Sequence, residues 1–176
     1  MVFPQIIALF LALFDAIGLP GNLLVTVTIV LERNFHVMRY ILLASLALSD
    51  FLFLILVNSF RIASVAHERW LSSETMCFLN SVFPKYFYAN TVFHLMAVSD
   101  DRYVAIVKSP LTYDGTITKS KVVVIALIWV IPVAFFMGAF FGGGEYVYNP
   151  EIFFCQEVWT AQSTSGWKIA IAVVFL

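Results

Sequence analysis

Three adjacent side chains, Asp101, Arg102 and Tyr103, stand at the end of a long apolar stretch. A carboxylate beside a guanidinium can neutralise it and later release it to another partner. This is ion-pair chemistry, with no covalent bond made or broken. Charged groups at membrane depth are rare, and where they occur they usually serve function. A second carboxylate, Asp50, lies inside another apolar run, Leu46-Ala47-Leu48-Ser49-Asp50. There it must be protonated, hydrogen-bonded or paired with a cation. Asn22, in the neighbouring run, is a residue that can donate its amide to it. Two cysteines, Cys77 and Cys155, complete the set of reactive groups. Nothing resembles a nucleophile–base arrangement, a metal-ligand cluster or a phosphate loop, so the chain does not read as an enzyme.

The elements that must position these groups are apolar. Of 176 residues, 61% are hydrophobic and 12% charged, and 18 are Phe. A soluble domain carries roughly 25% charged residues, so the composition implies a polytopic membrane protein with the lipid bilayer as its solvent. The net charge of −1 gives no indication of a nucleic-acid partner. A span needs about 20 mostly apolar residues. Five segments compete, at about 3–31, 37–63, 74–108, 119–141 and 166–176, and the last stops short of a full span. The expected fold is therefore all-α, a single polytopic transmembrane helix bundle. The first segment lacks a basic leader and a small-residue cleavage site, so it reads as a span and not as a cleaved signal.

Lys and Arg concentrate on the cytoplasmic side of membrane proteins. Arg33, Arg39, Arg102, Lys108, Lys119 and Lys121 fall on one side. Glu68, Glu74, Glu145, Glu151 and Glu157 fall on the other, with Arg69 and Lys168. This bias places the N-terminus outside. Both cysteines then lie on the non-cytosolic side, where a pair can oxidise. Free thiols are the alternative reading.

Gly21-Asn22, the Asp50 run, Asp101-Arg102-Tyr103-Val104-Ala105-Ile106-Val107 and Trp129 occur in the order and spacing of one family. Trp70 stands seven residues before Cys77, and Cys155 falls in the second outer loop. In these features the chain resembles a rhodopsin-like (class A) G-protein-coupled receptor ending inside the fifth helix. The resemblance implies a receptor that passes an extracellular ligand signal to a heterotrimeric G protein, at the plasma membrane. Asp101, Arg102 and Tyr103 would serve coupling. Asn22, Asp50 and Thr91 would form a polar core whose carboxylate, Asp50, holds a sodium ion, the only cofactor implied. Cys77 and Cys155 would be bridged, and Trp70 and Trp129 would be structural. A ligand pocket would draw on Pro84, Lys85, Tyr88 and Glu157.

Some features depart from the family pattern. Amine-binding members carry Asp on the third helix where this chain has Pro84, and proline in a helix removes a donor and bends it. One extra residue before Pro110 leaves the placement of Tyr113 open. Pro84, Tyr88, Thr91, Leu95, Val98 and Arg102 recur at helical spacing and are expected to face the bundle centre. Lys85 can snorkel toward the interface. His94 and Asp15 read as interhelical hydrogen-bonding residues. Two helices of the family pattern lie beyond the given residues. The competing reading is a truncated, non-signalling fragment that associates with other membrane receptors.

Overall fold

The computed structural model describes residues 2–108, 111–141 and 145–158, with side chains at all of these except 2 and 135–141. The segment expected at 166–176 lies outside them. Helix α1 is Val2–Leu31. A 3-10 turn, Arg33–Phe35, leads to α2, Met38–His67, which contains one π turn at Leu54–Asn58. Helix α3 is Glu74–Tyr103, and a π turn, Val104–Lys108, extends it. Helix α4 is Lys119–Phe141. Strands β1, Glu145–Asn149, and β2, Phe154–Val158, form an antiparallel hairpin. Among the described residues, Phe3–Leu31 and Met38–His67 are long and apolar enough to cross a membrane by length and composition.

Local chemistry sets the ends of these helices. Ser73 accepts a hydrogen bond from the Met76 backbone N–H at 3.3 Å and so caps α3. Glu74 in the first turn suits the positive end of the helix dipole. Helix α2 ends on Glu68, at φ 53°, the left-handed conformation that closes many helices. Its first free N–H, on Met38, donates to the Gly115 carbonyl at 3.0 Å. The loop before α4 thereby caps the start of α2.

The helices pack in sequence, α1 on α2, α2 on α3 and α3 on α4. Met38, Leu42 and Ile128 form the apolar core where α2, α3 and α4 meet, with Phe93, Ala97, Val98 and Ile125 packed against it. Large apolar side chains cover the outside, among them Phe3, Ile17 and Leu31. In water such a surface would drive aggregation. In lipid it costs nothing.

The buried face of α3 differs from the expected one. Cys77, Asn80, Ser81, Phe87, Asn90, His94 and Asp101 form the covered stripe. Of the residues expected to face the centre, Tyr88 is 63% and Leu95 52% exposed, while Pro84, Thr91, Val98 and Arg102 lie half-buried at the edge. The physical reason is satisfaction of polar groups. Asn90 and His94 carry donors and acceptors that lipid cannot meet, so they turn to α2 and α4, and the more apolar stripe is left open. The hairpin is an addition to the expected helices and lies in the segment expected as the second outer loop.

Candidate functional site

The functional groups gather at two ends of the bundle with a polar seam between them. At one end Asp101 is buried at the foot of α3. Its two carboxylate oxygens have different partners. One accepts from the Arg102 guanidinium, and the other accepts from the Tyr113 hydroxyl. The side chain of Arg102 is 37% exposed and that of Asp101 only 6%. The cation is thus the accessible half of the pair. Tyr103 is exposed beside it.

Lys121 adds a cation 5.3 Å from the Tyr113 ring and donates to the Thr116 carbonyl at 2.8 Å. Burial, the hydrogen bond to Asp101 and the Asp101 charge push the Tyr113 hydroxyl up to about 12, against the opposing charges of Arg102 and Arg39. Asp114, in the same loop, is held below the usual carboxylate range by hydrogen bonds from Thr116. A cavity of about 180 Å³ opens here, lined by Met38, Ala97, Asp100, Asp101, Val104, Tyr113, Lys121 and Val124.

The seam is built on Ser45, His94 and Trp129. His94 Nδ1 lies 2.9 Å from the Asn90 carbonyl and Nε2 2.8 Å from Ser45 Oγ, while Trp129 Nε1 donates to Ser45 Oγ at 2.9 Å. A carbonyl only accepts, so Nδ1 carries a proton. Nε2 can then accept from the Ser45 hydroxyl, whose oxygen accepts from Trp129. Asn90 Nδ2 donates to the Ile128 carbonyl at 3.2 Å. Trp129 therefore tethers α4 to α2 and α3. A second buried contact joins α1 to the π turn of α2. Asn58 Nδ2 donates to Asp15 Oδ1 at 2.6 Å. Asn80 of α3 donates to the carbonyl of Val57 in the same turn at 3.3 Å.

Asn22 and Asp50 are not joined by the expected hydrogen bond. The Asn22 carbonyl accepts from Thr26 at 2.9 Å, and the Asp50 carboxylate has no hydrogen-bond or ion-pair partner among the described residues. Asp50 and Thr91 are half-buried, as is Asn22. The polar groups of α1 and α2 meet instead at Asp15 and Asn58.

At the other end a disulfide links Cys77 to Cys155, with Cα atoms 5.4 Å apart. Ser81 donates to the Cys155 carbonyl at 2.7 Å. These contacts hold β2 against α3. In the ladder Tyr148 pairs with Cys155 and Tyr146 with Glu157. Side chains two apart share a face, so Glu157 lies on the face Cys155 turns to the bundle. Glu157 Oε2 is 3.8 Å from Lys85 Nζ. Pro84, beside Lys85, lies within an unbroken α3. Trp70 sits between Phe60 and Tyr148, each ring 6.4 Å away, and donates to the Ser73 carbonyl at 3.1 Å. Tyr88 is on the exposed face.

Two of these contacts had little signal in the sequence. Tyr113 follows Asp101 by 12 positions, and only a loop conformation brings its hydroxyl back. Ser45 is one small polar residue among apolar ones, and its partners come from two other helices.

A membrane helix bundle with a paired Asp-Arg at one end and a disulfide-tied hairpin at the other defines a receptor-like class. The model of the 7 transmembrane receptor (rhodopsin family) matches residues 21–176, and the chain belongs to that family. Trace amine-associated receptor 8b of Rattus norvegicus is 33% identical over 124 residues, which is 70% of this chain and 36% of that receptor. Trace amine-associated receptor 9 of the same organism is 36% identical over 126 residues, 71% of this chain and 37% of that receptor. Octopamine receptor beta-2R of Chilo suppressalis is 35% identical over 114 residues, 64% and 29% respectively. The chain thus spans about a third of the length of the curated relatives it matches. Family and relatives are receptors, not enzymes.

Proposed function

We propose that the chain takes part in a G-protein-coupled receptor of the plasma membrane, with the disulfide end and the N-terminus outside and Arg102 at the cytoplasmic end. A ligand arriving outside shifts a two-state equilibrium. Arg102 then leaves Asp101 and meets a heterotrimeric G protein. The observation that carries this reading is the division of Asp101 between Arg102 and Tyr113, with the carboxylate covered and the guanidinium half open. When the cation leaves, Asp101 keeps the hydrogen bond from Tyr113, which lowers the cost of uncovering its charge. A disulfide at the opposite end agrees with an oxidising exterior.

Asn22, Asp50 and Thr91 are the residues that would hold a sodium ion, since hard cations take oxygen ligands. The Asp50 carboxylate is half-buried with no hydrogen-bond or ion-pair partner among the described residues, which leaves its charge to be met by an ion or a proton. The ion would supply a counter-charge to Asp50 inside the bundle.

The test is nucleotide exchange on a purified heterotrimeric G protein, over membranes carrying a version of the chain completed to seven spans. Arg102→Lys should reduce agonist-driven exchange by tenfold or more, on the order of the 1.4 kcal/mol that a tenfold change represents, with surface expression kept. A point ammonium cannot reproduce the planar donor fork of guanidinium. Asp101→Asn should raise basal exchange. Parent-like exchange by Arg102→Lys would reduce Arg102 to a membrane anchor. The competing reading, a fragment that associates with full-length receptors, draws on the open face of α3 at Tyr88 and Leu95. It predicts no agonist-driven exchange by any version.

A further inference from the structure

Two charged groups on the wall of the cavity at the Asp101 end take no part in the Asp101–Arg102 pair. Asp100 is exposed and has no hydrogen-bond or ion-pair partner among the described residues. Lys121 is half-buried, and the Thr116 carbonyl takes one of the three donors an ammonium carries. No ion pair joins Asp100 to Lys121 among the described residues. The cavity of about 180 Å³ thus presents an unmet anion and a cation with free donors, held apart. Much of the remaining wall is apolar, from Met38, Ala97, Val104 and Val124. We propose that this cavity binds the headgroup of a membrane phospholipid of the ethanolamine class, with its phosphate on Lys121 and its ammonium on Asp100. The inference goes beyond the receptor reading. It concerns the lipid that the bundle selects, and it holds whether or not Arg102 couples to a G protein.

Three observations choose this occupant. The first is charge. An ethanolamine headgroup carries both signs on one short stem and meets both groups at once. An anionic headgroup would meet Lys121 alone and bring its charge against Asp100. This end is otherwise basic, with Arg33, Arg39, Lys108 and Lys119, and such a field attracts phosphate. Asp100 is the group that favours an ammonium, because Asp101 is already held by Arg102 and Tyr113. A serine headgroup adds a carboxylate that Asp100 repels.

The second is the form of the ammonium. A primary ammonium offers N–H donors to a carboxylate, and such charged hydrogen bonds are strong. The quaternary ammonium of choline has none and is recognised by aromatic cages. The one ring on this wall, Tyr113, already has Lys121 5.3 Å from its centroid, so the cavity holds no cage.

The third is a path for the tail. Val124 lines the cavity and is 41% exposed. Leu127 and Ile131 follow it on α4 at three- and four-residue steps and are also exposed, so the three share one face. They make an open apolar strip about 10 Å long, running from the cavity away from the start of α4. An acyl chain covers that strip, whereas soluble phosphoethanolamine would leave it bare.

The experiment uses the 176-residue chain in a non-ionic detergent. Phosphatidylethanolamine, phosphatidylcholine and phosphatidylglycerol with identical acyl chains are titrated separately, and bound lipid is counted by native mass spectrometry. The ethanolamine lipid is expected to bind about fivefold tighter than either of the others, the size of an ion pair that keeps part of its hydration. Asp100→Asn should erase this preference and leave the phosphatidylglycerol affinity equal or higher. Lys121→Met should weaken all three lipids, because all three carry the phosphate.

The Cys77–Cys155 cross-linked peptide checks that each variant has folded, and Asp100 is exposed, so its replacement leaves the packing intact. Equal binding of the three lipids by the parent would overturn the proposal, since it would reduce the cavity to ordinary lipid contact. So would tighter binding of phosphatidylglycerol, a preference for ethanolamine that survives Asp100→Asn, or unchanged binding in Lys121→Met. Soluble phosphoethanolamine that binds as tightly as the lipid would overturn it as well. No G protein enters this measurement, so its result separates from that of Arg102→Lys.

Discussion

The two ends of the bundle hold their charges in different ways. At the Asp101 end the ion pair joins neighbours in the chain, and the carboxylate is saturated by Arg102 on one oxygen and Tyr113 on the other. At the disulfide end Lys85 and Glu157 are 72 positions apart by their numbers, and nothing in the backbone brings them together. Their meeting depends on the hairpin, which depends on the Cys77–Cys155 link and the Ser81 hydrogen bond. The Asp101–Arg102 pair is written locally and survives local motion, and only its Tyr113 partner depends on the loop. The second is assembled from distant parts and moves with them.

Breaking the covalent link should therefore harm one end far more than the other. Cys77→Ala with Cys155→Ala removes a cross-link of a kind that contributes roughly 2–4 kcal/mol. The expected outcome is a lower thermal midpoint in detergent and loss of the Lys85–Glu157 contact. Hydrogen exchange should rise over 145–158 and stay near parent levels over 97–104. Equal loss of protection at both ends would show that the ends are not independent.

The same contrast explains what was legible in the sequence. The apolar runs declare the helical bundle, because span length and composition are local quantities. The Asp101–Arg102 pair is legible for the same reason. The face that α3 buries was not. The stripe through Tyr88 and Leu95 and the stripe through Asn90 and His94 both repeat at helical spacing, and the choice between them rests on partners at matching depth in α2 and α4. The hairpin was not legible either. Its five-residue strands lack a long alternating pattern, and the staple to α3 holds them. Asn22 and Asp50 look complementary by residue type, yet the amide that bridges α1 and α2 comes from Asn58, inside a π turn that no spacing rule announces.

A smaller effect is expected at Gly115, which supports the Asp101 end through the loop. It adopts φ +70°, and an added Cβ would lie 3.4 Å from Val37 Cβ. A left-handed conformation costs an ordinary residue about 1–2 kcal/mol. Gly115→Ala should lower stability by about that much. It should also loosen the Met38 N–H bond to the Gly115 carbonyl, seen as faster exchange of the Met38 amide. Unchanged stability would mean that the loop is not a fixed support of this end.

The smallest expected effect tests whether the second oxygen of Asp101 matters. Tyr113→Phe removes one hydroxyl donor and leaves Arg102 in place. A typical hydrogen bond contributes about 0.5–1.5 kcal/mol net, so the loss should fall in that range. The pH dependence has a definite sign. The folded-state hydroxyl is pushed up to about 12, above the roughly 10 of an unperturbed tyrosine. Its contribution is fully present below about pH 10 and is lost as pH rises through about 12. Below that window parent and Tyr113→Phe should differ by a constant amount. Inside it the difference should shrink toward zero, because the tyrosinate can no longer donate to a carboxylate. An ultraviolet titration of parent minus variant isolates Tyr113 from Tyr146, which ionises in the same range. A difference step near pH 10 would place the hydroxyl in water and leave Asp101 held by Arg102 alone. The Asp101 end would then be no more saturated than the Lys85–Glu157 end, and the contrast between the two would rest on sequence distance only.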